Sequence, residues 1–409
     1  MTRTVVVFSM IALIAGATSA SAQANVGSGP LTRALADTEP IVGVLTIGRV
    51  KLAPGLVIRE IGTDSNVFDE AEDPKDDFII AAAPDVAAFA RLRFVQLSAY
   101  AGGELNYFKT YDQERSTGYS TRGRADILLS RMRPFVGLGK SRTRTRPNGE
   151  IDVRADRSEE EISGGFAFDV SRYGQFYGAA YRFRTRFDDA FEDGVNLAPA
   201  LGRDTWDYTG GLRTELTPFT SLTVSASYRD DIFRFNRNRD AHSRIASAEL
   251  RIAPEALVSG FVTVGFNDFR PRAPEVRPYR GLIGMAAVVY PFLEIGRIGL
   301  EAVRRNEYSF EEADAYFIEN TVTASYTHAL FGEVDARVQG SKSWFNYGFT
   351  ETSPSRQDKL NVVGASVGYN LRNRTRISMN YEVARRRSPE LPERNYNRRR
   401  AFLSWTFAI

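Results

Sequence analysis

Residues 401–409 alternate strictly. Leu403, Trp405, Phe407 and Ile409 point to one side of an extended chain, and Ser404, Thr406 and Ala408 to the other. The same two-residue period recurs upstream. Val95, Leu97, Ala99, Leu105 and Tyr107 oppose Gln96, Ser98, Tyr100, Glu104 and Asn106. Tyr177, Ala179, Tyr181 and Phe183 oppose Arg182, Arg184 and Arg186, and Leu222, Val224, Ala226 and Tyr228 oppose Thr223, Ser225, Ser227 and Arg229. Trp206, Tyr208, Leu212 and Leu216 oppose Asp207, Thr209, Arg213 and Glu215, and Ile377, Met379, Tyr381 and Val383 oppose Arg376, Ser378, Asn380 and Glu382. One face of each segment is therefore apolar and rich in aromatics, and the other is charged or hydroxylated. The pattern blurs over Leu282–Val289, apolar on both faces, and at Lys342 beside Trp344.

Punctuation divides these segments unequally. Tight connections are expected near Arg91–Arg93, Arg131–Pro134, Ser171–Gly174, Thr217–Phe219, Ala253–Glu255, Tyr290–Phe292, Ala329–Gly332 and Arg372–Asn373, at a spacing of about forty residues. Between them lie longer charged or Gly/Pro/Asn-rich stretches such as Asp69–Asp77, Thr110–Thr117, Asp188–Arg203, Asn236–His242 and Glu351–Asp358. This is the asymmetry of a transmembrane β-barrel with short periplasmic turns and long extracellular loops. The fold class is all-β: one antiparallel barrel of about eighteen strands, with sixteen also compatible because the first hairpin is weakly marked. A β-propeller shares the forty-residue period but not strands of this length. A soluble sandwich leaves open edges, which lipid forbids.

The N-terminus adds export to this picture. Met1–Arg3 is cationic, Val5–Ala15 is an apolar run, and Ala20-Ser21-Ala22 supplies small residues for cleavage. The expected layout is a signal peptide over 1–22, a periplasmic extension over 23–49 and the barrel over 50–409. No segment has the roughly eighteen consecutive apolar residues of a membrane-spanning helix. The 409-residue chain has no cysteine, hence neither disulfides nor thiolate metal sites, and its net charge of +3 does not suggest a nucleic-acid binder.

Catalytic chemistry is scarce. His242 and His328 fall at opposite ends of the expected barrel, so they form no shared metal site or triad. The acidic run Asp69–Asp77 lacks the ligand spacing of a calcium loop. The paired glycines 102–103, 164–165 and 210–211 precede no helix and so form no phosphate loop. The reading is a non-enzyme without cofactor or metal. The strand frame turns Glu104, Arg182, Arg184, Arg186, Arg213, Glu215, Arg229, Arg376 and Glu382 inward as pore-lining candidates. Such a wall contacts a passing polar solute. Leu403, Trp405, Phe407 and Ile409 are the candidates for barrel closure against a first strand near Val50–Gly62.

The segment Gly55–Glu60, followed by Asp64-Ser65-Asn66-Val67-Phe68 and Ala83-Pro84-Asp85-Val86, resembles the opening of the β-barrel porin 2 type found with bacterial exopolysaccharide loci. The motif residues are Asp64, Asn66, Val67 and Phe68, with Asn66 suited to a left-handed turn at the strand exit. The resemblance implies an outer-membrane barrel of a Gram-negative bacterium, without catalytic residues. It further implies a passive conduit for a secreted polysaccharide, partnered by a periplasmic polysaccharide-export protein. The alternative is a general or solute-specific diffusion porin. The expected surroundings are outer-membrane lipid and the barrel-assembly machinery, with polysaccharide or another polar solute as cargo and no nucleic acid.

Overall fold

The computed structural model describes residues 45–408 apart from 294, 312, 351–354 and 372–374. The expected signal peptide over 1–22, most of the expected extension over 23–49, the expected turn at Arg372–Asn373 and Ile409 lie outside the described residues. Eighteen strands form the wall. They are β1 (Val50–Asp64), β2 (Asp77–Leu92), β3 (Val95–Phe108), β4 (Ser116–Ile127), β5 (Met132–Thr145), β6 (Ala155–Asp169), β7 (Gly174–Phe187), β8 (Arg203–Thr217) and β9 (Thr220–Phe233). They continue as β10 (Ala241–Ile252), β11 (Ser259–Pro271), β12 (Tyr279–Phe292), β13 (Gly296–Tyr308), β14 (Tyr316–Phe331), β15 (Val334–Asn346), β16 (Gln357–Leu371), β17 (Thr375–Arg387) and β18 (Tyr396–Ala408). Each pairs antiparallel with its sequence neighbours, and β18 returns to β1, so the sheet closes. Closure gives every strand a partner on both sides, as a spanning sheet in lipid requires.

The alternation decides which side of the wall meets lipid. Val338, Val363, Met379 and Leu403 are 55%, 58%, 67% and 49% exposed, while Ser378 and Glu382 on the opposite side of β17 are buried. Apolar residues this exposed are stable only against hydrocarbon. In the closing register Phe407 lies opposite Leu56, Trp405 opposite Ile58 and Leu403 opposite Ile61. A bulge in β1 around Arg59 and Glu60 shifts this register. The bulge lets two consecutive charged side chains turn inward, Arg59 to Glu104 at 2.8 Å and Glu60 to Arg400 at 3.5 Å. Beside it Gly62 packs so closely that a Cβ would meet the Ala401 carbonyl at 2.1 Å.

Connections alternate between short turns at one end and nine longer segments at the other. The turn expected at Tyr290–Phe292 falls three residues later: Tyr290, Pro291 and Phe292 stay in β12, opposite Ile298, Arg297 and Gly296. Proline lacks only the donor and is tolerated in an extended strand. Leu293, at φ 51°, makes the turn instead. The short strand Leu45–Ile47 folds back on Val50–Leu52 ahead of the barrel.

One part of the wall departs from a plain cylinder. The β12–β13 ladder runs only as far as Gly284 opposite Arg304, although β12 starts at Tyr279 and β13 continues to Tyr308. Above that level the β13–β14 hairpin leans into the lumen. Its Tyr308 packs on the inward residues Phe233 and Phe269, with ring centroids 4.9 and 5.9 Å away, and its Tyr316 on Phe269 at 5.0 Å. The hydroxyl of Tyr308 donates to Asp231 on β9 at 2.9 Å. The inward residues of the blurred β12 segment thus meet an apolar cluster, in which Ile283 packs beside Tyr279, Tyr316 and Ile318.

Candidate functional site: the lumen and its loop cap

The inner wall is a lattice of compensated charge. Arg59 pairs with Glu104, Arg229 with Asp207 (2.8 Å), Arg305 with Glu319 (2.8 Å), Arg376 with Asp335 (2.6 Å) and Arg400 with Glu382 (2.6 Å). Hydroxyls fill the intervals, with Ser225 against Ser247 (2.8 Å), Thr321 against Ser343 (2.8 Å) and Ser378 against Ser404 (2.7 Å). Alternate positions on neighbouring strands supply these pairs, because residues directly opposite in the ladder share a face. Glu104, Arg229, Arg376 and Glu382 therefore project into the lumen. Arg213 and Glu215 share the inward face of β8 with Asp207 and Thr209, toward its periplasmic end.

Arg182, Arg184 and Arg186 do not. On β7 it is Tyr177 and Tyr181 that turn inward, being 1% and 5% exposed, whereas Arg182 stands opposite the lipid-facing Ile162 and Trp206. The three arginines meet outward carboxylates instead: Arg184 pairs with Glu160 at 3.2 Å and Arg186 with Asp204 at 2.6 Å. The expectation that they line the pore is corrected. Long aromatic side chains fill the inner space at this height, and the arginines lie near the extracellular rim, where charge can leave the hydrocarbon.

At that rim the long loops fold over the lumen. The segment 146–154 follows β5, and its Glu150 bonds to the loop 309–315 that follows β13, eight strands away around an eighteen-strand ring. Ser309 Oγ donates to one carboxylate oxygen at 2.7 Å and the Phe310 N–H to the other at 3.1 Å. Arg386, on the inward face of β17 and 1% exposed, donates to the Glu150 carbonyl and to both carboxylate oxygens of Asp152 at 3.2–3.3 Å. Gly149 rests on Phe345, and a Cβ there would lie 2.7 Å from the ring. The loop thus spans the mouth and lands on the far wall.

Neighbouring loops complete the cap. The short helix Leu197–Leu201, started by the Asn196 side chain accepting from the Ala198 N–H, buries Leu197, Ala200 and Leu201 against Ile151 and Phe310. Glu192 accepts the backbone N–H groups of Asp152 (3.1 Å) and Val153 (2.9 Å). Arg394 bridges Asp193 and Glu311, while Arg356 also takes Glu311 at 2.8 Å. Burial raises Glu150 to about 7, and hydrogen bonds from Ser309 and Phe310 only partly offset it. Burial also raises Asp152 to about 7 against the pull of Arg386, and lowers Arg154 to about 9. In the sequence, the apolar Ile151 and Val153 of this polar loop show only that it packs on something, not on what.

The motif residues near the first loop hold the barrel seam. Asp64, fully buried, accepts from Arg398 of β18 at 2.8 and 3.0 Å. The Asn66 amide donates to the Asn397 carbonyl at 3.2 Å and to the Glu70 carbonyl at 2.8 Å, and its oxygen accepts the Glu70 N–H at 3.0 Å. Val67 is buried with Ile79 and Phe108, and Phe68 meets Tyr111 edge-on at 4.9 Å. The left-handed residues of this loop are Asp69 and Asp73, not Asn66. Asp69 is held by Arg146 and Arg398. Among the described residues no group of three or more carboxylates and histidines converges on a common point. His242 lies beside Tyr228, and His328 Nδ1 is 2.9 Å from the Tyr326 hydroxyl.

Solved porins share this architecture at low identity. OccAB3 of Acinetobacter baumannii aligns with 12% identity and a TM-score of 0.51, covering 89% of this chain and 100% of its own. A BenF-like porin of Pseudomonas fluorescens Pf-5 aligns with 10% identity and a TM-score of 0.50, covering 88% and 99%. These likenesses establish the fold alone. No curated protein matches the sequence. The model of the family described as putative beta-barrel porin 2 matches residues 45–408. With its closed eighteen-strand wall, polar lumen and lipid-facing belt, the chain belongs to that family, and it is an outer-membrane porin of the Gram-negative type, a channel and not an enzyme.

Proposed function

We propose that this porin is the outer-membrane conduit for a secreted polysaccharide, fed from the periplasm by a polysaccharide-export protein. The observation that carries the reading is the inner wall, where guanidinium–carboxylate pairs and paired hydroxyls repeat around the barrel. A polyhydroxylated chain exchanges hydrogen bonds with many such groups in turn. Because each of these five cations already has its counter-ion, none of them is a single strong site for the polymer, and conduction needs sites that are numerous and weak. Tyr100 on the inward face of β3 adds a flat surface for a sugar ring. Deletion of the gene is expected to abolish surface polysaccharide while leaving uptake of small nutrients unchanged. A deletion strain that still displays all its polysaccharide overturns the proposal.

A second reading is a solute-specific diffusion porin, favoured by the loop 146–154 across the mouth. In that case the purified barrel conducts steadily in planar bilayers with no partner present, and its deletion slows uptake of one class of small solute.

A further inference from the structure

The lipid-facing surface of β13–β18 changes character with height. Toward the periplasmic end it is apolar. Toward the extracellular end the same outward positions become Arg304, Lys342, Lys359, Arg385, Arg387 and Arg399, and among the described residues no carboxylate shares that face of these six strands. Their side is fixed by the alternation with Leu300, Val338, Val363, Met379 and Leu403, all strongly exposed. Arg304 lies eight residues beyond the strand start at Gly296. At ~2.6 Å of height per residue of a tilted strand this is roughly 20 Å, near the outer edge of the ~25 Å apolar band. The flank formed by β5–β8 differs: its outward cations Lys140, Arg142, Arg184 and Arg186 are each paired with a carboxylate.

Within the basic belt the wall is notched. Where the β12–β13 ladder stops and the hairpin leans inward, a cleft of about 510 Å³ opens, lined by Arg304, Asn320, Trp344 and Asn346 with Tyr279 and Phe349. Arg304 Nε donates to the Leu282 carbonyl at 2.9 Å, which β13 no longer covers. Lys342 sits 5.1 Å from the centroid of the Trp344 ring. Cations without carboxylate partners, amides and a half-buried indole, set above an apolar band, match one chemistry: a sugar headgroup bearing phosphates, with acyl chains below it.

We propose that this face binds one phosphorylated, acylated disaccharide lipid of the outer leaflet. Its sugar occupies the notch against Trp344, and its phosphates are held by Arg304, Lys342, Lys359 and Arg385. Each basic group near a charged lipid surface contributes about a factor of five, so losing three is worth on the order of a hundredfold.

The test uses the full barrel in mild detergent, with bisphosphorylated lipid A as the probe and native mass spectrometry as the readout. One retained lipid A is expected, with at least tenfold weaker retention of dephosphorylated lipid A or phosphatidylglycerol and no competition from inorganic phosphate. Lys342→Gln/Lys359→Gln/Arg385→Gln is expected to weaken retention by about a hundredfold, while Lys140→Gln/Arg184→Gln on the paired flank changes it less than threefold. Should the triple variant fold poorly by heat-modifiable electrophoresis, Lys359→Gln alone gives about fivefold, and Lys342→Arg/Lys359→Arg restores wild-type retention. Unchanged retention in the glutamine variants, equal retention of phosphatidylglycerol, or displacement by inorganic phosphate overturns the proposal.

Discussion

Glu150 makes the loop cap sensitive to pH. Its carboxyl is fully buried against Ser309 and Phe310 and is raised from an ordinary 4.5 to about 7. An acid whose closed-state pKa is raised stabilises the closed state when protonated. That contribution is complete below 4.5 and is lost as pH rises through about 7. The gap is worth about 3 kcal/mol if the group becomes solvated when the loop lifts. Between pH 5 and pH 7 the ratio of closed to open cap should therefore fall by roughly fortyfold from Glu150 alone. The assay is single-channel conductance of the purified barrel in planar bilayers across this range. Open probability is expected to rise with pH in the wild type. Glu150→Gln stays neutral and keeps hydrogen-bonding capacity toward Ser309 and Phe310, so it should remain closed to higher pH and lose about half of the slope, the other half belonging to Asp152 in the same loop. Wild-type open probability that falls with rising pH, or a Glu150→Gln channel with the full wild-type slope, refutes the reasoning.

Four further outcomes are expected. Gly149→Val drives a methyl group into the Phe345 ring and should prop the cap, raising mean conductance at pH 5 above wild type. Asp64→Ala leaves Arg398 with Asp69 alone at the seam and should cost about 3–5 kcal/mol, read as a lowered urea midpoint for loss of the heat-modifiable form. Met379→Arg, mid-way up the lipid face, should cost about 2–4 kcal/mol of folding stability in lipid, and a polar residue at Trp405 or Phe407 should reduce assembly in cells; normal barrel levels in either case contradict the facing. Arg229→Gln should shift the cation/anion selectivity of the channel, whereas Arg184→Gln on the outer face should leave it unchanged, as measured by reversal potential in a salt gradient.

The architecture was legible because its signal is redundant. A period of two repeated over many strands tolerates local noise, and the difference between short turns and long loops gave strand count and sidedness together. The face assignment failed on β7, where both sets of side chains are large. Tyr177, Tyr181 and Phe183 look lipid-facing by composition, yet the lumen at that height accepts aromatic bulk and the rim accepts arginine. Residue type fixes a face only where the two candidate environments exclude one another. The cap was less legible still. Glu150 and its partners Ser309 and Phe310 lie about 160 positions apart, and no local pattern encodes a contact made across a barrel. The motif Asp64-x-Asn66-Val67-Phe68 was visible as a motif, but its task emerged only once Arg398 and Asn397 were placed beside it.

That seam also orders events in time. Its ladder joins residues more than 330 positions apart, from Asp64 to Arg398 and from Asn66 to Asn397. Contacts of such separation are the slowest to form, since nearly the whole chain must be arranged before they contribute anything. Every other strand pair is a local hairpin or a neighbour of one, able to zip as soon as its two strands are in place. The Asp64–Arg398 clasp therefore acts as a completion signal: until β18 arrives, a carboxylate destined for full burial stays solvated, and a barrel stalled before that point keeps two unpaired edges for an assembly factor to hold.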